Sequence, residues 1–322
     1  MPTLRILYDV EYWAYHNRAA ALLKYAPADF DVTISQLDEA ELPGMSFGGL
    51  DDSHYTRVDL GHEPPDLIFS LPRLVLPRIR AELKKRRWGT KVIGSWNMGW
   101  PARIAEFGDV RQVSDALIIN NRDFWVRMGQ LPGTHLLANG VDLDIFHVRQ
   151  PMEQRRPRIL WVGSEMARHR KGYDEFLAPL ETRLANDGID CDFQLIDSVN
   201  GDKHCAREMA EWYNTGTVLV CASSVEGTPN IALEAAACGC TVVSTAVGNM
   251  PELLRDGENG HLVARDSEAL REGIHKAMDN YHALAQQMQH DIQAWSWRRR
   301  SVEFFNLFRE ISAPRSRNGA RA

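Results

Sequence analysis

The stretch of residues 218–263 constrains the fold of this 322-residue chain more than any other. It begins with an apolar run, residues 218–222, that predicts a buried strand. Small and turn-forming residues follow at 223–229, and residues 230–238, rich in Ala and Leu, predict a helix. Thr228-Pro229 is the predicted start of this helix, because proline there gives up only an N–H that the helix would not use.

Two carboxylates bracket this helix start. Glu226 lies in the loop, and Glu234 lies about one turn into the helix. The start of a helix has free N–H groups and a positive dipole end, so it favours a phosphate. An ionised carboxylate can only accept hydrogen bonds, which suits the hydroxyls of a sugar or a ribose. Each glutamate alone is more simply interpreted as a solvated charge, so the pair needs support from its surroundings.

That support comes from short motifs in a fixed order around the two glutamates. They are Glu226-Gly227, Glu234, residues 235–239, residues 241–245, Gly248, Pro251-Glu252 and residues 256–260. The ordered set resembles the C-terminal donor-binding domain of the retaining glycosyltransferases called group 1 or family 4, which have the GT-B architecture. We therefore interpret both glutamates as parts of one site.

The resemblance implies a fold and an activity. The fold is α/β, with two doubly wound Rossmann-like domains facing a cleft. The activity is a retaining, hexosyltransferase-type transfer from a nucleotide-diphosphate sugar to a hydroxyl acceptor, such as a glycan, a glycolipid or a small molecule. A UDP- or GDP-linked donor is expected. No cofactor and no metal are expected, since the sequence has no Asp-rich ligand spacing.

Lys171-Gly172 matches a Lys-Gly pair of the family, whose lysine contacts the donor diphosphate. An ammonium on a flexible stem suits phosphate charge and could stabilise the leaving nucleotide. Glu226 and Lys171 are therefore the expected catalytic residues, and Glu234 is expected to bind the ribose.

One departure from the family lies in the same segment. The family commonly has Arg directly after the glycine that ends the preceding strand, and this chain has Ser164 there. Arg168 or Arg170 could replace that arginine, and we favour Arg168. The full set of expected donor-binding residues is Gly163, Arg168, Lys171, Glu226, Thr228, Asn230, Ile231 and Glu234.

The rest of the chain alternates predicted strands and helices, which argues for parallel sheets covered on both faces. The predicted strands are residues 5–10, 31–36, 66–71, 91–96, 115–120, 134–138, 158–163, 192–197, 218–222 and 241–245. The predicted helices are residues 18–25, 78–88, 173–186, 204–213, 230–238, 268–288 and 297–311, and residues 38–65 are assigned only as loop. We expect an acceptor-binding domain at 1–149, a donor-binding domain at 150–294, a helix at 295–311 that crosses back to the first domain, and a disordered tail at 312–322.

The first half departs most from the family. Residues 9–16 lack the Gly-rich loop of many relatives, and Trp96-Asn97 stands where many have His. Asn97 can hydrogen-bond a sugar hydroxyl but cannot act as a base. The expected acceptor-binding residues are His16, Trp13 and Asn97. The aromatic residues Tyr12, Tyr15, Trp96 and Trp100 form either a sugar platform or part of the core.

Composition narrows the possible partners. A net charge of −6 gives no indication of nucleic-acid binding. Five Cys without a CxxC pair suit a reducing compartment, and an N-terminus without an apolar signal segment predicts a cytoplasmic protein. The basic segment at 78–88 is either a peripheral contact to an anionic membrane or lipid acceptor, or an ordinary helix with a solvated face.

Two other functional classes stay open. A binding protein could keep the donor fold and lack transfer activity, because the first half departs from the family. A nucleotide-sugar epimerase or a phosphorylase with the same architecture is the other alternative, and the set of Lys171, Glu226 and Glu234 disfavours it.

Overall fold

The computed structural model describes residues 1–9, 11, 14–39, 55–97, 110–196 and 204–313. In this part of the chain there are two large parallel β-sheets with helices on their faces. Four of the described strands, with the sequences LIFS, ALII, VLVC and TVVST, are buried at every residue, which is typical of parallel strands covered on both sides. The predicted α/β fold with two doubly wound units is confirmed.

The first sheet has six parallel strands in the order β2-β1-β5-β6-β7-β8. Its strands and helices are β1 (Thr3–Tyr8), α1 (Ala14–Lys24), β2 (Asp31–Gln36), β5 (Leu67–Ser70), α2 (Leu76–Arg86), β6 (Lys91–Trp96), β7 (Ala116–Ile119), α3 (Arg122–Arg127) and β8 (Thr134–Leu136). A separate antiparallel pair joins β3 (Asp38–Glu39) to β4 (Tyr55–Arg57), inside the segment that was predicted as loop.

The second sheet has five parallel strands in the order β10-β9-β11-β12-β13. Its strands are β9 (Arg158–Ser164), β10 (Asp190–Ile196), β11 (Val218–Cys221), β12 (Thr241–Thr245) and β13 (Gly260–Val263). Its helices are α4 (Ala178–Asn186), α5 (Ala206–Tyr213), α6 (Asn230–Ala237), α7 (Met250–Leu253), α8 (Ser267–Asp279) and α9 (Tyr281–Asp291). A π-helical turn, Tyr173–Leu177, precedes α4.

The last helix, α10 (Trp297–Ser312), packs on the first sheet. Its buried residues Trp297, Phe304 and Phe308 share a core with Leu4 and Phe69 from β1 and β5. Two backbone hydrogen bonds join the two halves of the chain at the start of this helix. Val141 N donates to Trp295 O and Trp297 N donates to Val141 O, both at 2.9 Å. Residues 314–322, most of the predicted disordered tail, lie outside the described residues.

The predicted helix at 268–288 is wrong in one respect. The structure divides it into α8 and α9 at Asn280, whose backbone (φ −115°, ψ 20°) leaves the helical region. Asn is a common residue at helix ends, because its side chain competes for backbone hydrogen bonds. The apolar periodicity alone continues across this break and does not reveal it.

The basic helix α2 buries its apolar side. Leu76, Ile79 and Leu83 belong to a core cluster of the first sheet. Arg80 pairs with Asp115, and Arg86 pairs with Glu82 at 2.6 Å. No helix in the described ranges is long and apolar enough to cross a membrane.

Candidate functional site

Two adjoining cavities lie where the carboxyl ends of both sheets face each other. The first, the Glu226 cavity, has a volume of about 280 Å³, and the second, the Glu234 cavity, has a volume of about 320 Å³. They share the lining residues Ala14, Asn139 and Asn230. A ligand that passes Asn230 can therefore reach both glutamates.

Glu226 is the centre of a buried charge cluster. Its Oε1 accepts hydrogen bonds from Lys171 Nζ at 2.6 Å, Ser223 Oγ at 2.8 Å and Arg170 Nη1 at 3.2 Å. Burial alone raises the pKa of Glu226, but the charges of Lys171 and Arg170 outweigh it and hold the pKa below the usual value. With two cations and one carboxylate, the cluster has a net positive charge beside the cavity.

The local backbone explains how Lys171 reaches this position. Gly172 has φ +75°, and a Cβ atom there would lie 2.7 Å from Ala222 O at the end of β11. Glycine is required, because it alone adopts this conformation at such a close approach without strain. The Lys-Gly pair thus brings Lys171 against the loop that carries Glu226.

Gly227 holds the same loop against the first sheet. A Cβ atom there would overlap the carbonyl oxygen of Asn97 and lie 2.7 Å from Asn120 Oδ1. Asn121 Nδ2 also donates to Glu226 O at 3.0 Å. The loop after β11 is therefore clamped between the two halves of the chain.

The start of α6 lines both cavities. Ala232 N makes a backbone hydrogen bond to Pro229 O, so the amides of Asn230 and Ile231 precede this bond. Thr228 Oγ1 accepts from Asn249 Nδ2 at 2.9 Å, and Asn230 Oδ1 accepts from Asn139 Nδ2 at 3.1 Å. The side chains of the helix start are thus occupied by protein contacts. Its backbone amides are placed to meet an anion.

Glu234 lies in a different environment from Glu226. Its Oε2 accepts a hydrogen bond from Tyr213 OH at 3.0 Å, and no ion pair to Glu234 occurs within the described ranges. Burial raises the pKa of Glu234 to about 7 against the smaller opposing effect of Tyr213. The two glutamates of the motif therefore differ in charge at neutral pH.

Four buried polar atoms without a hydrogen-bond partner line the Glu226 cavity. Within the described segments they are Asn97 Nδ2, Asn120 Oδ1, Asn139 Oδ1 and Ser164 Oγ. Buried polar atoms in proteins are normally hydrogen-bonded, and each that is not calls for an explanation. Both donors and acceptors are present in this set, which suits a ligand rich in hydroxyl groups.

Three of the predicted donor-binding residues, Gly163, Arg168 and Ile231, line neither cavity. Arg168 forms ion pairs with Asp174 and with Glu165 instead. Arg170, the alternative that we did not favour, lines the cavity, so the geometry favours Arg170 over Arg168. Gly163 lines neither cavity, and a Cβ there would lie 2.5 Å from the Trp161 ring, so side-chain packing explains this glycine.

The predicted acceptor-binding residues differ in their position relative to the cavities. Asn97 lines the Glu226 cavity, whereas His16 lines neither cavity and lies 5.0 Å from the Tyr8 ring. Burial lowers the pKa of His16. Trp96 is stacked on Phe124 in the core rather than exposed as a platform. Trp13, together with Tyr12 and Trp100, lies outside the described residues.

Sequence reasoning missed several residues of the site. Asn120 and Asn121 directly follow β7, at the sheet edge where ligands of doubly wound sheets bind, so their position was the available signal. Arg18, in the middle of α1, lines the Glu234 cavity and had no such signal. In the described part of the chain, no three His, Cys, Asp or Glu side chains are grouped to hold a metal ion.

Comparison with known proteins agrees with this geometry. Residues 148–280 match the family model described as glycosyl transferases group 1. Residues 148–280 are thus similar to a group 1 glycosyltransferase domain. This region contains Lys171, Glu226 and Glu234, three residues on which the resemblance was based.

Curated relatives match over part of their length. The alpha-maltose-1-phosphate synthase of Mycolicibacterium smegmatis is 26% identical over 222 residues, which cover 56% of this chain and 57% of that protein. A D-inositol 3-phosphate glycosyltransferase of Catenulispora acidiphila is 41% identical over 151 residues, which cover 45% of this chain and 33% of that protein. The first match thus spans little more than half of the relative.

Solved structures match over nearly the whole chain. Sucrose-phosphate synthase from Thermosynechococcus elongatus has a TM-score of 0.68 at 14% identity, over 97% of this chain and 99% of that one. Anabaena HepE, crystallised with UDP-glucose, has a TM-score of 0.67 at 13% identity, over 96% and 99%. At these identities the likeness establishes the GT-B fold alone.

The raised pKa of Glu234 predicts a pH-dependent effect on stability. Its folded pKa of about 7 lies above the ordinary 4.5, so the folded protein holds a proton that the unfolded chain releases in this interval. Stability from this group is therefore present below pH 4.5 and lost as the pH rises to 7. We expect Glu234→Gln, which stays neutral, to become more stable relative to the parent between pH 5 and pH 8, by on the order of 2 kcal/mol.

Urea unfolding at both pH values measures this difference. Glu211→Gln, at an exposed carboxyl on α5, is the matched control and should show no such trend. A constant difference between the Glu234→Gln variant and the parent at both pH values would show that Glu234 is already ionised in the folded protein.

Proposed function

We propose that this protein is a retaining glycosyltransferase that moves a sugar from a UDP- or GDP-linked donor to a hydroxyl acceptor. The observation that carries the proposal is the composition of the Glu226 cavity. A net positive cluster of Arg170, Lys171 and Glu226 stands beside buried polar atoms that have no partner within the described segments. The cluster suits a diphosphate, and the polar atoms suit a sugar.

Each part of the cleft has a proposed task. Lys171, Arg170 and the amides of Asn230 and Ile231 bind the diphosphate and stabilise the charge of the leaving nucleoside diphosphate. Because three donors converge on Oε1 of Glu226, its Oε2 is proposed to accept a hydroxyl of the transferred sugar. We propose that these positive groups do this work without a metal ion or a cofactor.

The second cavity is proposed to hold the nucleoside. Glu234 lies beyond Asn230 as seen from Glu226, and its carboxyl group, whose pKa is raised to about 7, suits the two ribose hydroxyls in its ionised form. The hydroxyl acceptor is proposed to approach the Glu226 cavity from the side of the first sheet. We infer a cytoplasmic enzyme, with any membrane contact being peripheral and electrostatic.

The first prediction of this function concerns Lys171. Lys171→Met removes a charged hydrogen-bond donor and should weaken binding of the nucleoside diphosphate by roughly 10- to 100-fold. Arg168→Met is the matched control, because Arg168 is held by Asp174 and Glu165 outside the cavity and should leave affinity unchanged. Titration calorimetry with UDP and GDP compares the three proteins.

The same measurements test metal independence. Binding and nucleotide release should survive EDTA. Loss of activity in EDTA that Mg²⁺ restores would contradict the metal-free proposal. Equal losses of nucleoside-diphosphate affinity in Lys171→Met and Arg168→Met would remove Lys171 from the site.

The two glutamates should separate kinetically. Glu226→Gln should lower kcat by a large factor, because a sugar contact strengthens as charge develops at the anomeric carbon. It should keep or improve affinity for the bare nucleotide, since it removes a negative charge beside Lys171. Glu234→Gln should weaken donor and bare nucleotide alike, by about 1.5–3 kcal/mol, because a ribose contact is the same before and during transfer.

A thermal-shift screen over nucleotide-sugars first identifies the donor, since a ligand that binds the folded state raises apparent stability. Release of nucleotide from that donor, with a cell extract as source of acceptor, then measures transfer. If Glu226→Gln loses nucleotide affinity and Glu234→Gln keeps it, the donor lies in the opposite direction. Binding without release or transfer would instead indicate a protein that only binds nucleotide-sugars.

The basic helix α2 gives a prediction about membranes. Since Leu76, Ile79 and Leu83 are buried, only its charges can meet a lipid surface. Any binding to vesicles with anionic lipid should therefore disappear as salt is raised from about 20 mM to about 500 mM. Flotation with neutral vesicles is the control. Sedimentation away from both vesicle types at low salt would leave α2 as an ordinary solvated helix.

A further inference from the structure

Arg18 of α1 is an almost fully buried cation at the edge of the cleft. It is 2% exposed, and its guanidinium carbon lies 5.3 Å from the centre of the Phe69 ring and 5.1 Å from that of Phe304. No carboxylate pairs with it among the described residues. Burial lowers its pKa to about 9, so it remains charged at neutral pH. The two rings offset part of the cost of burying this charge.

The hydrogen bonds of Arg18 converge on one amide. Its Nη1 donates to Asn97 Oδ1 at 2.7 Å and to Ser95 Oγ at 3.0 Å. Ser95 Oγ itself donates to Asn97 Oδ1 at 2.8 Å. Because only the oxygen of an amide group can accept, these two donors decide which way the Asn97 side chain faces.

The other side of that amide faces the proposed sugar site. Asn97 Nδ2 is buried and makes no hydrogen bond of normal length in the described segments, although the Tyr15 hydroxyl lies near enough to interact with this amide, and Asn97 lines the Glu226 cavity. The backbone carbonyl of Asn97 lies against Gly227, directly after Glu226. This contact places Asn97 beside the sugar end of the cleft rather than beside the nucleoside end.

Tyr15 lies on the same wall of the cavity. Burial and the charge of Asp9 raise the pKa of Tyr15, while Asn97 and the charges of Arg73 and Arg18 lower it, and the net change is upward. The Tyr15 hydroxyl therefore stays protonated near neutral pH. Tyr15 and Asn97 thus form an uncharged part of this wall, with the charge of Arg18 behind them, and Asp9 is the carboxyl group that lines the cavity beside Tyr15.

We propose that Arg18 is a positioning residue that turns the amide N–H of Asn97 toward a hydroxyl oxygen of the transferred sugar. The inference rests on the proposed function and adds a residue to it. A hydroxyl oxygen is the partner because Asn97 Nδ2 can only donate. The transferred sugar is its source, because Asn97 stands beside the Glu226-Gly227 loop. Arg18 acts on the transferred sugar through Asn97, and any contact that it makes in the Glu234 cavity acts on the nucleotide-sugar and the bare nucleotide alike.

The test compares affinities for UDP-glucose and UDP by titration calorimetry, or for GDP-mannose and GDP if the parent binds only the guanine pair. Asn97→Asp keeps both acceptor contacts to Arg18 and Ser95 and removes the N–H. Arg18→Met removes the positioning group, and Arg18→Lys restores one donor. Arg300→Met is the matched control, because Arg300 also stacks on an aromatic ring, that of Trp295, but lines neither cavity.

The expected result is a change in the ratio of the affinity for the nucleotide-sugar to the affinity for the bare nucleotide. Asn97→Asp and Arg18→Met should each lower the affinity for the nucleotide-sugar relative to the bare nucleotide by about five- to tenfold. Arg18→Lys should recover part of this loss. The double variant should lose no more than either single variant, because both changes remove the same contact. Arg300→Met should leave the ratio unchanged.

Several results would overturn the inference. An unchanged ratio in Asn97→Asp would show that the N–H does not contact the sugar, and an unchanged ratio in Arg18→Met would reduce Arg18 to a structural role. Losses that add in the double variant would show that Arg18 acts independently of Asn97. If Arg18→Met does not fold, Ser95→Ala replaces it, since Ser95 is the other donor to the same oxygen.

A failure of the proposed glycosyltransferase function can be distinguished from a failure of the inference about Arg18 and Asn97. In the first case the parent protein itself binds no nucleotide-sugar of either pair and releases no nucleotide. Such a result overturns both proposals. A changed ratio only in the variants of Asn97 and Arg18 supports the inference specifically.

Discussion

The buried cluster of Lys171, Arg170 and Glu226 is the interaction on which the rest of the cleft depends. A buried carboxylate needs compensating charge and hydrogen bonds, and this one receives both on a single oxygen atom. The cluster ties the loop after β9 to the loop after β11. Gly172 and Gly227 are required for this, because each allows a backbone approach that a side chain would block.

The two halves of the chain contribute different chemistry to the cleft. The second half supplies the charged groups, Arg170, Lys171 and Glu226, and the helix start at Asn230. The first half supplies mainly amide groups, from Asn97, Asn120 and Asn139. Charges suit a diphosphate, whereas amides discriminate among hydroxyls by direction, since each has separate donor and acceptor ends. The division accords with a donor phosphate bound by one half and sugar hydroxyls oriented by the other.

The last helix, α10, is connected to the cleft through side-chain contacts. Phe304 packs in the core of the first sheet and also covers the guanidinium of Arg18. Arg18 in turn holds Asn97, whose carbonyl lies against Gly227. A continuous series of contacts thus runs from the last helix to the loop of Glu226. Changes in the packing of α10 are therefore expected to reach the cleft through Arg18.

Much of the fold was predictable, because short apolar runs alternating with helical segments have few stable arrangements other than parallel sheets. The break at Asn280 was not, since apolar spacing is nearly continuous across it. The Glu226 and Lys171 positions were predictable from ordered local motifs. The choice between Arg168 and Arg170 was not, because it depended on Asp174 and Glu165, whose ion pairs hold Arg168 outside the cavity.

By itself, the sequence determined the parallel α/β architecture and the loop-helix motif of Glu226 and Glu234, since both follow from local patterns of burial, turn chemistry and spacing. Only the tertiary structure decided which side chains meet across the cleft. Arg18 and Asn97 are separated by 79 positions, and Asn121 and Glu226 are separated by 105. The difference in pKa between Glu226 and Glu234 likewise depends on the tertiary structure, because burial and neighbouring charge, rather than residue type, set the pKa of each.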